Sequence, residues 1–135
     1  MRKLMVIAML VLATGQLMAE EGGSVRLEIG GRTFTATLED NEAARVLCDI
    51  LPLSLDFRDY GGFEKVASLP RRLPSQDRQM RTSAGDIVLY LSNQIVVFYG
   101  GNSWSYTKLG HIDDVEGLTE ALGQGNVEIT FTLQR

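Results

Sequence analysis

The stretch GDIVLYLSNQIVVFYGGNSWSYTKLGHI, residues 85–112, decides the fold. Residues 87–91 and 95–99 are rich in Ile, Val, Leu, Phe and Tyr, and the polar Ser92-Asn93-Gln94 separates them. Two such runs around a short polar break predict neighbouring strands joined by a tight turn. Gly100-Gly101-Asn102 ends the second run, and Tyr106–Ile112 supplies a third strand. The apolar residues are nearly continuous, so both faces of these strands are expected to be covered.

Upstream, residues 25–29 alternate apolar and polar, Gly30-Gly31 turns the chain, and residues 33–38 continue in the same style. That is a hairpin. Residues 41–51 place Ala43, Val46, Leu47 and Ile50 on one helical face, with Asp40 or Asn41 as cap and Pro52 as stop. Cys48 falls at the edge of that face and reads as a half-buried structural thiol. Residues 53–57 form a strand. From Arg58 to Ala84, Gly61-Gly62, Pro70, Pro74 and many polar residues predict a long irregular segment carrying Arg71, Arg72, Arg78 and Arg81.

Downstream, Asp113 and Glu116 have capping-box spacing and predict a second helix containing Val115, Leu118, Ala121 and Leu122, closed by Gly123. Residues 127–133 alternate cleanly as a last strand. Seven or so strands with two helices predict a mainly β protein, a closed barrel capped by two short α-helices.

Met1-Arg2-Lys3, the apolar run 4–12 and the small residues ending at Ala19 form the pattern of a secretory signal peptide, residues 1–19, ahead of a single domain over 20–135. The apolar run is too short for a spanning helix of about 20 residues. Membrane association is therefore expected only if the peptide is retained, and the protein is expected to be exported, periplasmic or secreted. Without residues 1–19 the 13 basic residues lose Arg2 and Lys3, which leaves 11 against 17 acidic ones, a formal charge of −6. This charge argues against nucleic-acid binding, which needs a basic surface. A single Cys and a single His exclude an internal disulfide and the usual zinc clusters, so no metal and no cofactor are expected. The sequence leaves the oligomeric state open.

The portion IGGRTFTATLEDNEAARVLCDILP and the portion LGHIDDVEGLTEAL resemble the opening and the C-terminal turn-and-helix of cyclophilins. Leu69-Pro70-Arg71-Arg72-Leu73-Pro74, Gly85-Asp86 and Trp104-Ser105-Tyr106-Thr107-Lys108 resemble elements of the small bacterial cyclophilin-like domain family. The resemblance spans about residues 25–133 and implies a cyclophilin-like barrel, in a family without a settled biochemical function. Prolyl isomerases of this superfamily lower the rotational barrier, roughly 18–20 kcal/mol, by binding the twisted amide better than the planar one. They use an Arg donor, an apolar ring pocket and supporting Gln, Trp and His. Here only Arg58 stands where the resemblance places the catalytic Arg. Tyr106 holds the position of the His, His111 falls on a Lys of the family turn, and Ile95 or Val96 stands for the pocket Phe unless a one-residue shift restores Phe98.

The expected function is accordingly a noncatalytic module that binds a peptide, a small ligand or an envelope partner through Phe57, Arg58, Tyr60, Tyr99, Trp104 and Tyr106, aromatic and amphipathic groups at strand ends. The alternative is a prolyl isomerase with a rebuilt site and Arg58 as its catalytic residue. A third reading gives the arginines of residues 71–81 to an acidic partner. Asp56, Asp59 and Glu64 read as a solvated acidic rim rather than a catalytic acid–base pair.

Overall fold

In a computed structural model, which describes residues 23–134, nine strands and two helices follow the order β1 (Ser24–Ile29), β2 (Arg32–Leu38), α1 (Glu42–Asp49), β3 (Leu53–Tyr60), β4 (Glu64–Ser68), β5 (Arg78–Arg81), β6 (Asp86–Tyr90), β7 (Gln94–Phe98), β8 (Ser103–Ile112), α2 (Leu118–Leu122) and β9 (Val127–Gln134). The predicted signal peptide lies outside the described residues. No helix among the described residues is long and apolar enough to cross a membrane.

The strands pair in the order β2-β1-β9-β3-β4-β7-β6-β8, and β2 pairs again with β8, so eight antiparallel strands close a barrel. β5 joins outside it, on the N-terminal half of β8. The predicted hairpin of β1 and β2 turns on Gly30-Gly31, both with positive φ, the backbone that a two-residue turn of matching twist requires. The turn predicted at Ser92-Asn93-Gln94 falls earlier, between Tyr90 and Gln94, and uses two left-handed residues, Leu91 and Ser92.

Inward-pointing residues alternate along the strands. Leu27, Ile29, Phe57, Ile87, Leu89, Ile95, Val97 and Phe131 fill one contiguous core. Ala43, Ala44 and Leu47 of α1, and Leu118 and Leu122 of α2, pack into that core, as do Leu69 and Leu73 from the Leu-Pro-Arg-Arg-Leu-Pro segment. Cys48 is half-buried against it. Burying this apolar surface is the main force that closes the barrel.

Asn41 caps α1, accepting at Oδ1 from Ala44 N at 2.9 Å. Its Nδ2 donates to Lys108 O at 2.9 Å, which ties the helix to β8. Asn41→Ala removes both bonds and should cost about 1–2 kcal/mol. Urea unfolding would read this, and a loss below about 0.3 kcal/mol would sink it.

Three expectations change. Residues 58–84 are not irregular throughout, because they contain the end of β3, all of β4 and the short β5. β4 escapes a pattern search because two charged residues, Glu64 and Lys65, open it, and both are buried. The second helix begins at Leu118, behind Gly117 at φ 78, not at the acidic residues. Asp113 instead accepts a bond from Thr37 Oγ1 at 2.7 Å, and Asp114 Oδ1 accepts from Glu116 N at 3.0 Å. Finally, eight strands rather than seven close the barrel, and a ninth extends the sheet.

Candidate functional site

The outward positions of five adjacent strands make a second surface. Arg58 and Tyr60 of β3, Glu64 and Val66 of β4, Val96 and Phe98 of β7, Val88 and Tyr90 of β6, and Trp104 and Tyr106 of β8 share this outer face, and on β6 and β7 they alternate with Ile87, Leu89, Ile95 and Val97 of the core. Val66, Val88, Val96, Phe98 and Tyr106 bury one another there, with Phe63, Tyr90 and Met80 packed at their edge. Rings meet in a chain, Phe63 on Phe98 with centroids 6.5 Å apart, Phe98 to Tyr106 at 5.6 Å and Tyr106 to Tyr90 at 5.9 Å.

Above this floor lies an open cleft of about 360 Å³, lined by Arg58, Tyr60, Phe63, Glu64, Val66, Tyr90, Gln94, Asn102, Trp104 and Tyr106. An apolar floor with a few converging polar groups is the usual make-up of a ligand site. Trp104 is 56 % exposed and Tyr60 65 %, a large apolar area to leave in water. Asn102 Nδ2 donates to the Tyr106 hydroxyl at 2.8 Å. Burial of that phenol raises its pKa.

Four of the six residues expected to bind ligand, Arg58, Tyr60, Trp104 and Tyr106, line this cleft. Phe57 and Tyr99 do not. Adjacent strand residues face opposite sides of a sheet, so Phe57 next to Arg58 is fully buried in the inner core. Tyr99 packs at the barrel end, where its hydroxyl donates to Asp59 Oδ1. Ile95 also faces the inner core, and Val96 and Phe98 lie beneath the cleft without lining it. Tyr106, expected from the sequence resemblance to stand in place of a His, brings a phenol into the cleft. His111 is elsewhere, with its Nδ1 2.7 Å from Asp86 Oδ1.

Glu64, expected in a solvated rim, is instead buried, with 8 % exposure, at the cleft wall. Burial, and secondarily the charge of Asp59, pushes its carboxyl up to about 7. Its neighbour Lys65 offers no relief, because it points the opposite way, into the barrel. There the ammonium donates to Gly123 O at 2.9 Å and Gly125 O at 2.6 Å and lies 3.2 Å from Asp59 Oδ1. The Tyr99 hydroxyl, together with Lys65 and the Gly62 N–H, holds Asp59 below the usual carboxylate range against the opposing effect of burial. Burial and the bond to Asp59 push Tyr99 up to about 12. Phe63, Tyr90, Gln94 and Asn102 are further cleft residues that the pattern of the sequence did not single out. The one signal for Tyr90 and Gln94 is their position as the cross-strand pair flanking the β6–β7 turn.

Among the described residues, no group of three or more His, Cys, Asp or Glu side chains is placed to hold a metal ion. The four arginines of residues 71–81 are all exposed and none lines the cleft.

A family model described as the cyclophilin-like family matches residues 27–132. No curated protein matches the chain. The solution structure of a hypothetical protein from Archaeoglobus fulgidus superposes with a TM-score of 0.57 at 14 % identity, over 85 % of this chain and 97 % of the other. This likeness extends to the fold.

Proposed function

The chain belongs to the cyclophilin-like family, and from that premise we propose that it is a binding module that captures a peptide segment or small molecule in the cleft between β3 and β8. The observation that carries this reading is the pairing of an apolar aromatic floor with an exposed guanidinium, Arg58, and an exposed indole, Trp104, at the mouth of the same cleft. The rings supply apolar area with little entropy to lose, and the polar tips fix orientation. Nothing in such a site has to break a bond.

A titration of isotope-labelled protein with a series of proline-containing peptides tests this. Resonances of Trp104 and Tyr60 are expected to shift, and Trp104→Ala should weaken capture about tenfold or more, as loss of a central aromatic anchor does. Both residues are exposed, so the variants should retain the fold. Shifts scattered away from the cleft, or none with any peptide, would sink the reading.

One observation favours the runner-up, a rebuilt prolyl isomerase: Arg58 and an apolar ring, Phe63, line one cleft. In that case the same peptides exchange cis and trans faster at low protein concentration, and Arg58→Ala abolishes the acceleration. Rate enhancement rests on binding the twisted amide more tightly, so capture without acceleration excludes it.

A further inference from the structure

Resting on the cleft as a binding site, the geometry points to its ligand class: we propose that the cleft takes a substituted ammonium group, seated among the rings with the Glu64 carboxylate as its counter-charge. Glu64 forms no ion pair and accepts no side-chain hydrogen bond among the described residues. No fully buried side-chain oxygen lacks a partner, so the Glu64 carboxylate opens onto the cleft. A carboxylate with no partner of its own, at the wall of a cleft lined by Tyr60, Tyr90, Trp104 and Tyr106, presents both features that recognise an organic cation. Aromatic faces attract the spread positive charge of a substituted ammonium, and the carboxylate at the cleft wall supplies its counter-charge.

Charges around Glu64 leave room for the cation. From β3, Arg58 and Tyr60 face it. Arg58 pairs with Val66, two residues further along β4, is exposed and lies beyond ion-pair distance. Asp59 and Lys65 lie on the other face of the sheet, paired with each other. From β6 and β8 the titratable neighbours are Tyr90 and Tyr106. Glu64 is the only carboxylate among the residues that line the cleft.

Choline is a suitable probe because its charge does not change with pH, and 3,3-dimethylbutan-1-ol is its neutral isostere. Choline is expected to shift the Trp104 indole resonance, with affinity rising about tenfold from pH 6 to pH 8 as Glu64 ionises. The isostere should bind at least tenfold more weakly and without pH dependence. Glu64→Gln should bring choline down to the level of the isostere, whereas Trp104→Ala should weaken choline at every pH and keep its pH dependence. A lysine tripeptide blocked at both ends, compared with free choline, distinguishes a peptide side chain from a small amine as the source: choline binding alone or together with the tripeptide supports the proposal, and the tighter of the two names the source. Equal binding of choline and the isostere overturns the cation and leaves the binding module intact. Absence of any choline shift also overturns it, while the proline-peptide titration decides the binding module separately.

Discussion

Lys65→Ala is expected to lower stability by about 3–5 kcal/mol, the cost of breaking a buried pair while leaving its partners in place. The Lys65 side chain has 0 % exposure, and its ammonium holds Gly123 O, Gly125 O and Asp59 at one barrel end. Truncation leaves two carbonyls without a donor and a carboxylate without its cation. In a domain of this size, such a loss moves the midpoint of thermal unfolding down by roughly 15 °C or more. Lys65→Met keeps the aliphatic stem and should fall between wild type and Lys65→Ala. Adding Asp59→Asn to Lys65→Met should recover part of the loss, because the orphaned charge is then gone. A fall of less than about 1 kcal/mol for Lys65→Ala would show that the network is not what closes that end.

Glu64→Gln should act in the opposite direction, and only at high pH. The folded carboxyl titrates near 7 against 4.5 for the free group. Between those values the native state holds a proton that the unfolded chain has released, so stability falls as pH rises from about 4.5 to 7. Above pH 7 the whole penalty is present, and below 4.5 it is absent. A shift of this size corresponds to about 3 kcal/mol, and contact with water in the cleft reduces it to about 1–2. Glutamine keeps the shape and never ionises. Urea unfolding at pH 4.5 and pH 8 should therefore give equal stabilities at the lower pH and a more stable variant at the higher. A difference independent of pH would mean that charge burial is not its cause.

The same two residues explain where the sequence stopped being legible. The strands of residues 85–112 were readable because their two faces are both apolar, and the β1–β2 hairpin because Gly30-Gly31 permits one kind of turn. β4 was not, since its charges look solvated until the neighbouring strands are known. One faces a carbonyl cage inside the barrel and the other a cleft outside it, and neither environment is local in the chain. β5 was hidden by its arginines, being an outer strand with little to bury. The cleft was half legible. Arg58, Tyr60, Trp104 and Tyr106 share a face by alternation, but Phe57 differs from Arg58 by one residue, and in a strand one residue is the other side of the wall. Helix α2 was misplaced at its start because the capping-box spacing at Asp113 competed with a long-range partner, Thr37, which the linear chain does not reveal.

The final strand, β9, lies between β1 and β3, pairing with both. The ring of strands consequently has a gap in its middle until the last residues of the domain have been synthesised. A nascent chain still in the ribosome can form the β1–β2 hairpin and the β6–β7 pair, but it cannot seal the wall. Closure of the barrel therefore waits on β9, the strand that joins the β1 edge to the β3 edge.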